Sequence, residues 1–384
     1  MPIDNPNYQS KSTKLLQELL KPPRIYDPIV LIDIGAAGGA RREWLSITDI
    51  SRIICFEPDV AECERLNKTA PPYIEYFPNA IGEISGKFPF FLARSGLCSG
   101  LTKINEFFWK RFPNWQNNEI VSEAQIECIS LKDWSKSANC KHVDFIKLDV
   151  EGSESAILRG ADDLIEEKKI LGILSEYAIE GDTRLASNYG LFSIDQILKK
   201  YNFQLFDLTT SRFPRSTLPV GKLNISKSDS DSQFSVSASP TRAIFGQLLA
   251  GDVLYFRDPI MDLRKKGSEY VAKFWDRETL LRLICLLDVY NYTDFSLEIL
   301  SHFRHFFSND ELDFVVKTLL TTVVDEIEYE IPYDEYFKAS KELFIQNGGL
   351  NGVDIINHLV LEPAVFANNI GGTNVEKWPW NQFC

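Results

Sequence analysis

Acidic residues that follow apolar runs are the groups in this sequence best suited to chemistry. Asp149 follows the run F-I-K-L, and Glu176 follows I-L-G-I-L-S. Each run predicts a short buried strand, so the two carboxylates are expected as neighbours at the ends of consecutive strands. Carboxylates so placed accept a proton from a substrate hydroxyl or bind a divalent cation such as Mg²⁺. Repulsion between them would raise the pKa of one and make it a better base.

Two further carboxylates extend this candidate set. Glu151 and Glu154 stand three residues apart in D-V-E-G-S-E, and they share a face if a helix begins there. Their alternative role is to complement the positive end of that helix's dipole. Lys147, inside the preceding strand, is expected to pair with one of the acids in a structural role. The predicted catalytic set is therefore Asp149, Glu151, Glu154 and Glu176.

A glycine-rich turn at residues 30–39 predicts a second kind of site. The stretch reads V-L-I-D-I-G-A-A-G-G, a β-branched run that ends in small residues. A strand, a glycine turn and a helix build a nucleotide site in open α/β sheets, because a backbone without side chains lets a ligand come close. Glu57 follows Asp33 by 24 residues, at the end of the next apolar run, and Pro58 follows it. An acid at that distance is placed to accept hydrogen bonds from ribose hydroxyls. The alternative for both acids is a helix cap or a solvated strand end.

The elements that position these residues alternate between strand and helix patterns over residues 29–208. Such alternation is typical of a parallel, doubly wound sheet, so the fold class is α/β. An amphipathic helix precedes it in residues 1–28, a serine-rich and charged stretch at 214–241 predicts a flexible segment, and helical periodicity dominates from residue 260 onward. The predicted domains are thus a helical lead-in at 1–28, a cofactor-binding domain at 29–259 and an all-α appendage at 260–384.

Composition narrows the classes of partner and compartment. The 384 residues carry a net charge of −13, which suits phosphate binding poorly and argues against nucleic acid as a partner. The sequence contains no apolar run long enough to span a membrane and no basic-then-apolar secretory leader at its start. Seven cysteines without C-x-x-C spacing argue against a disulfide framework or zinc knuckle. A cytoplasmic protein is expected, and a homo-oligomer stays open.

Four motifs, in order, carry a resemblance to a known family. They are D-I-G-A-A-G-G, F-E-P, N-A-I-G and F-I-K-L-D-V-E-G-S-E-S-A-I-L-R-G, between about residues 29 and 210. Together they resemble the FkbM family of S-adenosylmethionine-dependent methyltransferases. The resemblance implies a Rossmann-like class I methyltransferase sheet, mostly parallel and seven-stranded with an antiparallel last hairpin. It also implies methyl transfer to an oxygen, often a hydroxyl of a saccharide or a secondary metabolite.

The resemblance also implies roles for the cofactor-binding residues. Gly35, Ala36 and Ala37 would let the backbone approach the amino-acid portion of S-adenosylmethionine, and Asp33 would reach its ammonium group, directly or through water. Glu57, followed by Pro58, would bind the ribose hydroxyls. Asn79 and Ala80 would lie at the adenine edge. The family often has Asn where this chain has Ala37, which removes a side-chain contact and leaves the backbone contact in place.

Two other functions remain to be weighed against O-methyl transfer. A nicotinamide-dependent oxidoreductase would use a related fold, but the turn reads G-A-A-G-G rather than G-x-G-x-x-G. A catalytically inactive methyltransferase-like binding module would keep the cofactor turn and lose the acids, which persist here. The acceptor is expected to be a small molecule or a glycan with a free hydroxyl.

Overall fold

The computed structural model describes residues 11–19, 27–179, 183–185, 190–217 and 246–320, with short pieces at 322–324, 327–329, 335 and 338. Most of the predicted flexible segment, from residue 218 on, and most of the chain after 320 lie outside the described residues. The chain divides into two compact units. One holds Ile29–Arg41 and Ser51–Asp258, and the other holds Met1–Pro28, Arg42–Ile50 and Pro259–Cys384. The predicted domain boundaries stay a prediction; the Arg42–Ile50 segment groups with the helical unit although it falls within predicted domain 29–259.

The first unit is built on a central sheet and a smaller side sheet. Its strands are β1 (Ile29–Ile34), β2 (Ser51–Phe56), β3 (Ile74–Phe77), β4 (Ala80–Gly82), β5 (Gly86–Ala93), β6 (Ile120–Ser130), β7 (Phe145–Leu148), β8 (Gly172–Ala178), β9 (Phe203–Leu208), β10 (Ser211–Phe213) and β11 (Gln247–Arg257). Its helices are α2 (Val60–Asn67), α3 (Glu106–Trp109), α4 (Leu131–Ser137), α5 (Glu154–Gly160), α6 (Asp162–Glu167) and α7 (Leu191–Lys199), which follow α1 (Lys11–Leu19) of the other unit.

The central sheet has the order β3, β2, β1, β7, β8, β11, and β11 also pairs with β9 and β10. The pairs from β3 to β8 are parallel, whereas β11 runs antiparallel to β8, β9 and β10. This mostly parallel sheet with an antiparallel end confirms the predicted Rossmann-like class I methyltransferase fold. Within the described residues the sheet has eight strands rather than the expected seven, because the three-residue strand β10 adds to its edge.

Burial explains why these strands form. All six residues of β1 are buried, and so are all four of β7. Parallel strands covered on both faces need such continuous apolar, β-branched runs. The register places Asp33 of β1 beside Lys147 of β7, the two charged residues in these otherwise apolar strands. The sheet therefore brings an acid and a base together in its interior, below the edge where β1 ends.

The side sheet has three strands in the order β4, β6, β5. β5 and β6 form a long antiparallel pair in which Phe88 lies opposite Ile126. The connection between them carries α3 and a turn at residues 96–101. The backbone of Gly100 in that turn bonds with Phe91 of β5 in both directions, at 2.9 and 3.2 Å. These bonds hold the turn against β5.

The second unit is helical where it is described. It contains α1, the 3₁₀ segment Arg42–Ile50, and α8 (Pro259–Phe274), α9 (Arg277–Val289), α10 (Thr293–His302) and α11 (Asn309–Leu320), with a short hairpin of β12 (Thr322–Val324) and β13 (Ile327–Tyr329). The middle of α9 is apolar and fully buried, from Leu280 to Leu287 apart from Arg282. A capping box begins α11, since Ser308 and Glu311 each accept a hydrogen bond from the other's backbone N–H. Within the described residues, no helix combines the length and apolar character that crossing a membrane requires.

Candidate functional site

A cavity of about 370 Å³ opens at the edge of the sheet where β1, β2, β7 and β8 end. Its lining includes most of the residues expected at the cofactor, namely Gly35, Ala37, Glu57, Pro58, Asn79 and Ala80. It also includes three of the four predicted catalytic acids, Asp149, Glu151 and Glu176. Asp33, Ala36 and Glu154 are buried and do not line it. The cavity therefore unites two groups of residues that lie more than 60 positions apart in the sequence.

The glycine turn at the end of β1 is held very close to β7. The N–H groups of Gly35 and Ala36 both donate to the carbonyl oxygen of Phe56, at 3.0 and 3.1 Å. Gly35 has a φ of +81°, and a Cβ at this position would lie 1.8 Å from the carbonyl oxygen of Asp149. Only glycine fits this approach, which leaves the backbone of residue 35 bare at the cavity wall.

Asp33 acts beneath the turn rather than in the cavity. Its Oδ1 lies 3.0 Å from Nζ of Lys147, which also donates to the carbonyl oxygen of Gly35 at 2.8 Å and lies 3.4 Å from Oδ2 of Asp149. Burial lowers the pKa of Lys147, but the charges of Asp33 and Asp149 outweigh it and raise the pKa overall. Burial raises the pKa of Asp33, and Lys147 opposes this. The protonated lysine thus ties the glycine turn to the acid at the end of β7.

Glu57 is the carboxylate of the cofactor side that faces the cavity. It is buried, and its Oε1 accepts a hydrogen bond from the N–H of Asp59 at 2.9 Å. Burial raises its pKa, and that hydrogen bond opposes the shift. The cap of α2 is Asp59, whose side chain accepts from the N–H groups of Ala61 and Glu62. Glu57 is therefore neither the helix cap nor the solvated strand end of the alternative interpretation.

The three acids Asp149, Glu151 and Glu176 form a compact acid cluster at the other side of the cavity. One carboxylate oxygen from each lies within 4.8 Å of the other two. Asp149 has 46% of its side chain exposed, whereas Glu151 has 25%. Oxygens so arranged suit proton uptake from a hydroxyl and are also of the type that Mg²⁺ prefers.

Burial and mutual repulsion change the protonation of the acid cluster. Burial raises the pKa of Glu151 to about 7, and the neighbouring Arg184 opposes this. The pKa of Glu176 lies well above its ordinary value, first through burial and then through the charges of Glu151 and Asp149. Carboxylates this close do not all ionise at neutral pH. Glu151 therefore exchanges a proton near neutral pH, and Glu176 holds its proton more tightly than a free glutamate does.

Glu154 has a structural place in this loop. It begins α5, is buried, and accepts hydrogen bonds from the N–H groups of Val150 and Gly152, at 3.0 to 3.1 Å. Glu151 precedes the helix with a left-handed φ of 59°. Glu151 and Glu154 thus do not share a helix face, because the helix begins only at Glu154.

The comparisons with known proteins agree with this geometry. Residues 33–205 match the family model described as the methyltransferase FkbM domain. This stretch, which is less than half of the chain, is similar to that family and is called the FkbM domain below. The FkbM family is a family of S-adenosylmethionine-dependent methyltransferases, as the motifs predicted.

The proteins similar to this chain include one curated relative and two solved structures. The relative is the 2-O-methyltransferase NoeI of Sinorhizobium fredii (strain NBRC 101917 / NGR234), 26% identical over 190 residues, which cover 46% of this chain and 72% of NoeI. The structures are precorrin-6y C5,15-methyltransferase from Geobacter metallireducens GS-15, with a TM-score of 0.25, and a SAM-dependent methyltransferase from Agrobacterium tumefaciens, with a TM-score of 0.28. Each is 10% identical; they cover 64% and 65% of this chain, and 88% and 61% of their own chains. TM-scores this low carry no argument about the fold. The fold of the FkbM domain is therefore defined by the strand order of the central sheet.

Two features of the site involve residues that the sequence-based prediction did not name, although it did place Ser99 of the 96–101 turn near the cofactor. The turn at 96–101 lines the cavity with Leu97 and Leu101, beside Phe90 of β5. Leu97 is 69% exposed, a large apolar side chain at the rim. The second feature is Arg184, which forms an ion pair with Glu151. No motif marks Arg184, which does not line the cavity and is positioned by contacts between distant segments.

Proposed function

We propose that the FkbM domain transfers the methyl group of S-adenosylmethionine to a hydroxyl of a saccharide or a secondary metabolite. The observation that carries the proposal is the convergence of the glycine turn, Glu57 and the acid cluster on one cavity. A cofactor cradle alone would suit many ligands. A cradle that opens onto clustered carboxylates suits a reaction that releases a proton.

The residues present fit the cofactor. Gly35 and Ala37 line the cavity with backbone and a small side chain, which accept the close approach of the amino-acid portion. Glu57 has one oxygen engaged with the N–H of Asp59 and binds the ribose hydroxyls with its carboxylate. Pro58, Asn79 and Ala80 line the wall expected at the adenine edge. Asp33 contributes through Lys147, which fixes the carbonyl group of Gly35.

When bound, S-adenosylmethionine would supply an activated methyl group to the acceptor hydroxyl; the carbon–sulfur electron pair would stay on sulfur and the hydroxyl proton would be released. The cavity walls hold the acceptor oxygen in line, and positioning of this kind supplies up to about 7–11 kcal/mol. Asp149, Glu151 and Glu176 surround the place where the proton leaves, and a carboxylate among them takes it. A positioned base adds roughly 10²- to 10⁴-fold to the rate.

The family match disfavours the nicotinamide-dependent oxidoreductase, and the retained acid cluster disfavours an inactive binding module. NoeI, the relative named above, is a 2-O-methyltransferase, which supports an oxygen acceptor. A small-molecule or glycan acceptor fits the size of the cavity. The expectations of no nucleic-acid partner, a homo-oligomer and a cytoplasmic location stay predictions.

Ligand binding tests the cofactor half of the proposal. We expect S-adenosylhomocysteine, and not NAD, to raise the Tm of the full chain, by an amount equivalent to about 2.7 kcal/mol at 100 times its Kd. Glu57→Gln should weaken that binding, whereas Glu127→Gln, on the exposed Lys87–Glu127 pair, should leave it unchanged. Stabilisation by NAD alone would show that the site binds another cofactor.

Turnover tests the chemical half. S-adenosylmethionine labelled in its methyl group is incubated with methyl glycosides that carry free hydroxyls and with hydroxylated metabolites. Asp149→Asn and Glu176→Gln should each lower kcat while the Kd for S-adenosylhomocysteine changes little. Unchanged kcat in both variants would exclude Asp149 and Glu176 as bases. No label in any acceptor, with normal cofactor binding, would favour the binding module.

Chelation separates a carboxylate base from a bound cation. With the acids acting directly, turnover should persist in EDTA and should not respond to added Mg²⁺. If EDTA abolishes turnover and Mg²⁺ restores it, the three acids hold a cation and none of them acts directly as the base.

A further inference from the structure

Arg184 is a buried cation that reaches Glu151 from a distant part of the chain. Its side chain is 7% exposed, and its Nη2 forms an ion pair with Oε2 of Glu151, 33 positions away in the sequence. Its Nη1 donates to the carbonyl oxygen of Thr102 at 3.0 Å. One guanidinium therefore binds both the acid cluster and the chain that follows the 96–101 turn.

Backbone pairing fixes the position of Arg184. Arg184 and Ile104 form an antiparallel bridge. The N–H of Leu185 donates to Lys103 at 2.8 Å, and the N–H of Asn105 donates to Thr183 at 3.1 Å. The carbonyl group of Thr183 also accepts from Nε1 of Trp109 at 3.0 Å. A short, strand-like backbone contact therefore positions Arg184.

The backbone at Glu151 has a conformation that needs support. Its φ of 59° lies in the left-handed region, which a glutamate seldom adopts, and strained residues of this kind collect at functional sites. Gly152, with a φ of +99°, follows; a Cβ there would lie 3.1 Å from Cδ of Arg184. Glu154 holds the N–H groups of Val150 and Gly152. The turn is therefore shaped around the arginine on one side and held by Glu154 on the other.

The acids Asp149, Glu154 and Glu176 face Glu151 and repel its carboxylate when they are ionised. The thiol of Cys98 also faces it and is uncharged at neutral pH. Arg184 supplies the opposite charge. Gly100, whose Cβ would lie 3.3 Å from Cβ of Glu151, closes the other side of the residue.

We propose that Arg184 is a positioning residue for methyl transfer: its guanidinium holds the Glu151 carboxylate, in a left-handed turn, against the cavity where the acceptor hydroxyl binds. The proposal rests on the proposed function, since it assigns the acid cluster to the acceptor. Arg184 itself does not line the cavity, and it acts through Glu151.

A double-mutant cycle in the full chain tests this assignment. Arg184→Gln should lower kcat about 10- to 100-fold, with the Kd for S-adenosylhomocysteine changed less than threefold. Arg184→Gln added to Glu151→Gln should lower kcat little further, because a residue that acts through Glu151 has no effect once that carboxylate is gone. Arg184→Lys, which keeps a charge but loses the fork of donors, should recover part of kcat. If the fold-decreases in kcat of Arg184→Gln and Glu151→Gln multiply in the double variant, the proposal is overturned.

Trp109→Phe is the matched control. It removes the indole hydrogen bond to Thr183 and leaves the guanidinium in place, so it should lower Tm without lowering kcat. If Trp109→Phe and Arg184→Gln lower kcat equally, the segment has a structural role only. Should Arg184→Gln not fold, the comparison of Arg184→Lys alone with Arg184→Lys in the Glu151→Gln background applies the same criterion.

Amide hydrogen exchange keeps this test separate from the proposed function. The Arg184→Gln variant should exchange the amides of residues 150–152 at least tenfold faster than the unaltered protein, whether or not an acceptor is methylated. Unchanged exchange there would overturn the positioning role. Failure of the unaltered chain to methylate any acceptor, with exchange accelerated as expected, would instead overturn the proposed function.

Discussion

The substitution Gly35→Ala tests the geometry of the cofactor turn most directly. The Cβ would lie 1.8 Å from the carbonyl oxygen of Asp149, whereas such contacts in proteins are at least 3.0 Å long. The ends of β1 and β7 would have to separate by roughly 1 Å, a strain typical of overpacked sites. The backbone hydrogen bond from the N–H of Asp149 to Ile34, now 3.0 Å long, spans the same gap. The substitution therefore strains the point where the cofactor side and the acid cluster meet.

Two free-energy costs give the expected destabilisation by Gly35→Ala. A left-handed φ costs a residue with a Cβ about 1–2 kcal/mol. Overpacking against a backbone that resists movement adds about 1–3 kcal/mol. Gly38, with a φ of +83° and nothing within 4 Å of its Cβ position, carries the first term alone. Gly35→Ala should therefore destabilise the protein by about 2–5 kcal/mol and Gly38→Ala by about 1–2 kcal/mol.

Thermal unfolding and calorimetric titration with S-adenosylhomocysteine measure both effects. At about 2–4 °C per kcal/mol for a domain of this size, Gly35→Ala should unfold several degrees below Gly38→Ala. It should also bind S-adenosylhomocysteine at least tenfold more weakly, because Gly35 lines the cavity. Equal Tm values and equal affinities for the two variants would show that the close approach between residues 35 and 149 does not exist in solution.

The remaining predictions concern charge. Lys147→Met leaves Asp33 buried without its cation and should cost about 3–5 kcal/mol in thermal unfolding; adding Asp33→Asn should restore part of it, and no recovery would contradict the pairing. The pKa of Glu151 is raised to about 7, so kcat should climb with pH up to about 7 as the carboxylate ionises and then level off. Its effect on stability has the opposite sign, because the folded state holds the proton more tightly: the contribution is present at low pH and is lost between about pH 4.5 and 7. Glu176→Gln removes a repelling neighbour and should move the rise in kcat to lower pH, and a rise that does not move would show that the two acids are independent.

The local sequence pattern predicts much of the fold and part of the site. The apolar runs before Asp33, Glu57 and Asp149 predict buried strands, and the structure forms β1, β2 and β7 there. Because the carboxyl ends of parallel strands meet at one edge, the positions of Glu57, Asp149 and Glu176 near one cavity follow from strand order.

What the sequence could not predict depends on register and on distant pairing. Asp33 and Lys147 meet because β1 and β7 pair in one register, which fixes the lysine beneath the turn. Glu154 differs from Glu151 in role because α5 begins at Glu154, so Glu151 lies in the turn before the helix. Arg184 has no sequence signal at all, since its position depends on pairing with Ile104, 80 residues earlier.

The side sheet gives the cavity a separable wall. Phe90, Leu97 and Leu101 belong to β5 and the turn after it, whereas Glu57 and Asp149 belong to the ends of central strands. Residues can be added to or removed from the β5–β6 connection without shifting the register of β1, β2 and β7. Under the proposed function, changes in this wall would alter which acceptor is methylated while the residues proposed to bind the methyl donor stay unchanged.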